Sequence, residues 1–142
     1  MLGEGLLEKK DLLNLLSATS KSLKREPNVA KLQEPIFIVG DVHGQYYDLI
    51  HMFEKAIDGR FDLNSTSLLF LGDYVDRGRY GLEIVVFLYA LRMNFPKTVV
   101  LLRGNHESAA MTDMFTFREE VLEKYGGDEF VYEAFLESFE AL

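Results

Sequence analysis

Leu68-Leu69-Phe70-Leu71-Gly72-Asp73 is an apolar run closed by a glycine and a carboxylate, and the chain repeats this pattern. Upstream, Ile36-Phe37-Ile38-Val39 precedes Gly40-Asp41; downstream, Val99-Val100-Leu101-Leu102, then Arg103, precedes Gly104-Asn105. Successive glycines, Gly40, Gly72 and Gly104, are 32 residues apart. One βαβ unit takes about 30 or more residues, so each interval fits one such step. Short, continuously apolar strands are what a parallel sheet covered on both faces requires. The pattern therefore predicts three buried parallel strands of an α/β fold, with Asp41, Asp73 and Asn105 at equivalent carboxyl ends. Open α/β sheets bind ligands at that edge. Glycine after each strand allows a sharp turn and close backbone approach, so short side chains can converge there. Two Asp and an Asn, with His43 and His106 close in sequence, point to metal.

Between and around the strands the apolar spacing turns helical. Tyr46 to Ile57 sets Leu49, Ile50, Phe53 and Ile57 on one face, Asp58-Gly59 closes it, and a polar loop leads to Ser67. Gly81 to Asn94 is the second crossover, with Ile84, Val85, Leu88 and Leu91 on its buried stripe and Pro96 as its stop. Residues 6–32 carry leucines at helical spacing, interrupted by Ser17 to Ser22 and closed by Pro27, which predicts one or two helices outside the sheet. Thr112 to Tyr125 reads as one helix, broken by Gly126-Gly127, and Glu129 to Leu142 as another with Val131, Phe135, Phe139 and Leu142 in phase. The expected organisation is a single domain over 1–142: N-terminal helices at about 6–32, a βαβαβ metal-binding core at about 35–107 and C-terminal helices at about 111–142. The last helix has no stop signal, so the chain reads as cut within a domain.

A length of 142 residues suits one core. The net charge of −8 and the lack of a Lys/Arg cluster argue against a nucleic-acid partner. Without cysteine there are no disulfides and no thiolate zinc sites. No apolar stretch approaches the roughly 18 residues of a membrane span, and the N-terminus lacks a signal-peptide layout. The expectation is a protein of the cytoplasm or nucleus with no membrane partner.

The chemistry concentrates in three loops. Gly40-Asp41-Val42-His43-Gly44 pairs a carboxylate with an imidazole; Gly72-Asp73-Tyr74-Val75-Asp76-Arg77-Gly78 offers two carboxylates and a guanidinium; Gly104-Asn105-His106-Glu107 completes the set. Mixed oxygen and nitrogen donors without sulfur suit Mn, Fe or Zn better than Mg. Two metals about 3.5–4 Å apart sharing a carboxylate make a hydrolytic centre. Taken singly, Asp41 or Asp73 reads as a helix N-cap and His106 as an ordinary loop histidine; it is their co-occurrence that favours a site. His51, inside an amphipathic helix with no motif, reads as surface or packing. Glu107 follows a histidine, but position 110 is Ala, so the zinc-protease motif is absent.

Together the three loops resemble the metallophosphoesterase superfamily, and within it the phosphoprotein phosphatase family of serine/threonine phosphatases. That family's N-terminal signatures are Gly-Asp-x-His-Gly, Gly-Asp-x-Val-Asp-Arg-Gly and Gly-Asn-His-Glu, all present here in order. Asn94-Phe95-Pro96-Lys97-Thr98, Thr116-Phe117-Arg118-Glu119-Glu120 and Val131-Tyr132-Glu133-Ala134-Phe135 look most like the calcineurin catalytic subunit. The resemblance implies the βαβαβ half of a calcineurin-like sandwich with flanking helices. It implies hydrolysis of phosphoserine and phosphothreonine monoesters in phosphoprotein substrates by a hydroxide activated at two divalent or trivalent metals (Mn, Fe or Zn). By the same resemblance Asp41, His43, Asp73 and Asn105 are metal ligands, with Asp73 bridging. His106 is the general acid, Asp76 orients it, and Arg77 with Asn105 grips the substrate phosphate. Arg103 is expected to be structural.

The pattern is also incomplete. Family members take two further histidines, a second phosphate-gripping arginine and the second sheet from sequence beyond the position matching Leu142. One metal keeps its full protein set in Asp41, His43 and Asp73, whereas the second keeps only Asp73 and Asn105. The expectation is one well-held metal, weak or absent activity of this chain and exposed apolar surface. A calcium-sensor regulatory subunit is implied for a calcineurin relative, but its binding elements are not in this chain. Two other readings compete: another metallophosphoesterase acting on dinucleotide polyphosphates or nucleic acid, and a truncated, non-catalytic interaction module.

Overall fold

The computed structural model describes residues 6–56 and 62–142. Three strands, β1 (Ile36–Val39), β2 (Ser67–Phe70) and β3 (Val99–Leu101), form a parallel sheet in the order β1-β2-β3. Helix α1 (Lys9–Leu23) precedes β1; α2 (Tyr46–Ala56) and α3 (Gly81–Asn94) are the crossovers; α4 (Ala109–Met114), α5 (Phe117–Lys124) and α6 (Glu129–Phe139) follow β3. In register, Ile38 lies beside Leu69 and Leu69 beside Val100, while Val39 lies beside Phe70 and Phe70 beside Leu101. The three loops therefore leave the sheet at the same edge and the same height.

Both crossovers step in one direction across the sheet. Right-handed connections then put α2 and α3 on one face, and among the described residues that face is the buried one while the other is half-buried to exposed at Ile38, Leu69 and Val100. Side chains alternate along a strand, so Leu68, Phe70, Val99 and Leu101 point into the core, where α3 contributes Ile84, Val85 and Leu88. The opposite face carries Ile38 at 64% exposure, with Leu71 at 46% and Leu102 at 38% just past their strands. This corrects the expectation of a sheet covered on both faces and agrees with the expected exposed apolar surface. Strand β1 is an edge strand, and Phe37 is exposed as well.

Helix α1 packs on α3 and α6, with Leu12 and Leu16 in the common core and Leu23 also buried. It is a single helix that runs through Ser17 to Ser22 without a break, with Thr19 and Ser20 buried at its interface. Small hydroxyl side chains fit a close helix crossing without stopping the helix. No helix covers 24–35; there Glu26 pairs with the buried Arg92 of α3. Phe117, Phe135 and Phe139 stack at ring-centroid separations of 5.3–6.3 Å and lock α5 to α6. Tyr89 donates from its hydroxyl to Ser138 Oγ at 3.0 Å, tying α3 to α6.

Several boundaries differ from the sequence reading: β2 and β3 stop at Phe70 and Leu101, one residue short of Leu71 and Leu102. The helix expected over Thr112 to Tyr125 is two, α4 and α5, because the chain turns at Phe115 and Thr116 to present amide groups to Asp76. Helix α6 ends at Phe139 and not at Leu142. Ile57 and Asp58-Gly59, read as the end of the first crossover, lie outside the described residues. Among the described residues no helix is long and apolar enough to cross a membrane.

Candidate metal centre

The three loops are stitched together by their backbones. Val42 N and His43 N both donate to Asp73 O at 3.0 Å, Gly44 N donates to Tyr74 O at 2.9 Å, and Gly78 N returns to His43 O at 3.0 Å. The second and third loops touch at Gly72 and Gly104. A Cβ on Gly72, whose φ is +111°, would lie 2.2 Å from Gly104 N, and one on Gly104 would lie 2.2 Å from Asp73 Oδ1. Only glycine permits this contact. His43, Asp73, Asp76 and Arg77 all have positive φ, from 43° to 69°, in a region few non-glycine residues adopt. Such local strain persists where the surrounding structure over-determines it, and functional sites are where it clusters.

His43 is buried, and its Nδ1–H donates to Val75 O at 2.8 Å. That bond selects the tautomer whose Nε2 carries a lone pair, the form that binds a metal. Nε2 is itself buried and has no hydrogen-bond partner among the described residues. An orphaned buried acceptor is costly, and a cation beside it removes the cost. Asp73 and His106 supply the neighbours: one ligating atom from each of His43, Asp73 and His106 lies within 4.8 Å of the other two. Asp41 adds a carboxylate whose Oδ2 is 3.7 Å from His43 Nε2 and whose side chain is 66% exposed. The donor set thus fits a metal of the borderline class.

Behind this cluster lies a second tier. His106 Nδ1 is 2.7 Å from Asp76 Oδ2. Asp76 is fully buried, and its other oxygen accepts from Thr116 N at 3.1 Å and Phe117 N at 2.8 Å, so the first amides of α5 hold the carboxylate that holds the imidazole. The His106 ring also meets the His43 ring edge-on at 4.7 Å and Phe115 at 4.9 Å. Arg77 is exposed and fixed through its backbone N–H to Thr116 Oγ1 at 3.1 Å. Asn105 is exposed between Gly104 and His106, and its carbonyl accepts from Ser108 Oγ at 2.9 Å. The structure therefore gathers His43, Asp73 and His106, sets Asp41 beside them and Asp76 behind them. Arg77 and Asn105 stand at the solvent side. Arg103 donates from Nε to the main-chain oxygen of Glu107 at 2.9 Å, and His51 lies on the surface 3.9 Å from Glu54.

Glu107, set aside by the sequence reading, is fully buried and binds both loops. Its carboxylate accepts from Tyr74 N at 2.7 Å, Asp73 N at 2.8 Å and Gly104 N at 2.9 Å. Burial pushes its pKa up; the hydrogen bonds from Tyr74, Asp73 and Gly104 pull it down, and the Asp73 charge adds to the rise. The sequence signal for it was a carboxylate three residues after Gly104, within reach of the turn it closes.

The profile of the family described as Calcineurin-like phosphoesterase matches residues 34–142. The serine/threonine-protein phosphatase 2B catalytic subunit A1 of Saccharomyces cerevisiae is 45% identical over 139 residues, which cover 98% of this chain and 24% of that protein. The serine/threonine-protein phosphatase SIT4 of Candida albicans is 41% identical over 120 residues, covering 84% of this chain and 38% of it. A solved protein serine/threonine phosphatase from Saccharomyces cerevisiae, with similarity to human phosphatase PP5, superposes with a TM-score of 0.90 at 32% identity, over 99% of this chain and 45% of that one. The chain thus spans a quarter to two fifths of the length of these two curated relatives.

Proposed function

This chain belongs to the calcineurin-like phosphoesterase family, among the serine/threonine phosphoprotein phosphatases, and from that premise we propose that its site serves metal-dependent hydrolysis of phosphoserine and phosphothreonine monoesters in proteins. The observation that carries the reading is the buried Nε2 of His43, without a hydrogen-bond partner among the described residues, in a residue that groups with Asp73 and His106 so that one ligating atom from each lies within 4.8 Å of the others. Asp41, His43 and Asp73 would hold the first metal, and Asp73 and Asn105 the protein's share of a second. Bound metals lower the pKa of water and neutralise phosphate charge; Mn, Fe or Zn suits the donors.

The remaining steps fall to the chain's own residues. Asp76 accepts from His106 Nδ1–H, which fixes the ring and favours the imidazolium; in that doubly protonated form the Nε2 proton would pass to the departing serine or threonine oxygen, leaving the neutral ring held by Asp76. Arg77, rooted by Thr116, presents a guanidinium fork that suits bidentate grip on phosphate oxygens. The Asn105 amide would share that phosphate. Turnover is expected to be weak, since Asp73 and Asn105 are the second-metal ligands identified among the described residues. The names of the relatives support phosphoproteins over nucleotides as the substrate class.

The test is Mn²⁺-dependent phosphate release from a phosphoserine peptide by wild type and Asp73→Asn. Release is expected to fall at least about 100-fold in the variant, because Asp73 would be a ligand to both metals and its loss would weaken the hold on each. A folded wild type with no calorimetric affinity for Mn²⁺ or Zn²⁺ would end the reading. One observation favours the second reading, an interaction module: the uncovered apolar sheet face at Ile38, Leu71 and Leu102. Light scattering that finds a strict monomer would count against it.

A further inference from the structure

We propose that Glu107 is a positioning residue for the metal, acting through the backbone of Asp73. Its carboxylate contacts are to backbone amides and not to the ligating side chains. Its two oxygens grip the second loop at Asp73 N and Tyr74 N, and the third loop at Gly104 N, all within 2.9 Å, with Val75 N further out at 3.4 Å. These partners are backbone N–H groups, so the buried carboxylate is satisfied by the two loops it joins and needs no cation. Charge-assisted bonds of this kind are about twice as strong as neutral ones.

Geometry ties this clamp to the site. Asp73 sits at φ +54°, in the left-handed region that few non-glycine residues adopt, and its N–H is the group Glu107 Oε2 holds. Asp73 Oδ1 in turn accepts from His106 N at 2.9 Å, and it packs so closely on Gly104 Cα that a Cβ there would overlap it. The aim of the Asp73 carboxylate thus follows from how tightly the second and third loops are drawn together. Glu107 draws them together where a Cβ on Gly72 or Gly104 would not fit. The inference rests on Asp73 as a metal ligand.

The test is Mn²⁺ binding by calorimetry at a temperature well below unfolding, with the Mn²⁺ electron paramagnetic resonance spectrum as a second readout. Three variants are compared: Glu107→Gln, Glu107→Asp, and the remote core variant Val121→Ala, chosen to lower stability without touching the site. Glu107→Gln turns an acceptor into a donor facing N–H groups. It is expected to weaken Mn²⁺ about 10–100-fold, the range for outer-shell partners of metal ligands, and to alter the spectrum. Glu107→Asp keeps the charge with a shorter reach and should fall between wild type and Glu107→Gln. Val121→Ala should bind as wild type does. Glu107 variants that fold and bind Mn²⁺ normally, or lose no more than the matched core variant, would overturn the inference. Failure of both Glu107 variants to fold would equally overturn it, making Glu107 a support of the fold alone. A folded wild type that binds no Mn²⁺ would instead refute the metal site itself.

Discussion

Glu120 reaches from α5 to the start of α3, where it accepts from Gly81 N at 3.1 Å and Leu82 N at 2.9 Å, while Lys124 bonds it at 2.7 Å. Burial raises its pKa above the ordinary 4.5, and the hydrogen bond from Lys124 only partly opposes this. The folded chain therefore holds this proton more tightly than the unfolded chain does. Stability owed to the residue is greatest below 4.5 and falls as pH rises through the raised folded value. Glu120→Gln has no such proton. The wild-type minus variant difference in unfolding free energy, from urea titrations between about pH 4 and pH 8, should decline with rising pH. A difference that rose with pH would mean that the Lys124 contact, and not burial, dominates.

At the scale of elements, turns divide into those that space permits and those that only glycine permits. Helix α5 ends in a Schellman arrangement, Gly127 N donating to Leu122 O at 2.8 Å with Gly126 at φ +64° and nothing within 4 Å of a Cβ placed there. Gly126→Ala should cost about 1–2 kcal/mol, the strain of a left-handed residue. Gly72→Ala adds to such strain a Cβ set 2.2 Å from the Gly104 amide, between two loops that cannot part without breaking the Glu107 clamp. About 3–5 kcal/mol is expected. Chemical denaturation midpoints of the two variants measure the contrast, and equal losses would show that the loops yield.

For the whole molecule, the decisive asymmetry is that one sheet face is the core while the other, among the described residues, exposes Ile38 and, just past the strands, Leu71 and Leu102. Two right-handed crossovers in the same direction place both helices on one side, and α1, α5 and α6 build outward from α3. Ile38, Leu71 and Leu102 remain in water. Contiguous apolar surface of this kind binds hydrophobic dyes and other proteins. Ile38→Lys should reduce dye fluorescence several-fold and leave the melting temperature within a few degrees, because this side chain takes no part in the buried core. An unchanged dye signal would place the binding elsewhere.

The triplicate apolar runs, their common interval and the glycine after each were enough to read a parallel α/β sheet with three loops at one edge, because strand period and crossover length are local properties of the chain. The same local logic located Asp41, His43, Asp73, Asp76, Asn105 and His106 in those loops. What the sequence left open was decided by packing between segments distant in the chain. Which sheet face is buried depends on the hand of two crossovers together. The split of α4 from α5 depends on Asp76, 40 residues from Thr116, drawing the amides of the turn toward itself. The work of Glu107 depends on two loops meeting where a carboxylate fits and a Cβ does not. Hydrogen-bond satisfaction and steric fit across such distances have no signature in periodicity, so only the folded chain reveals them.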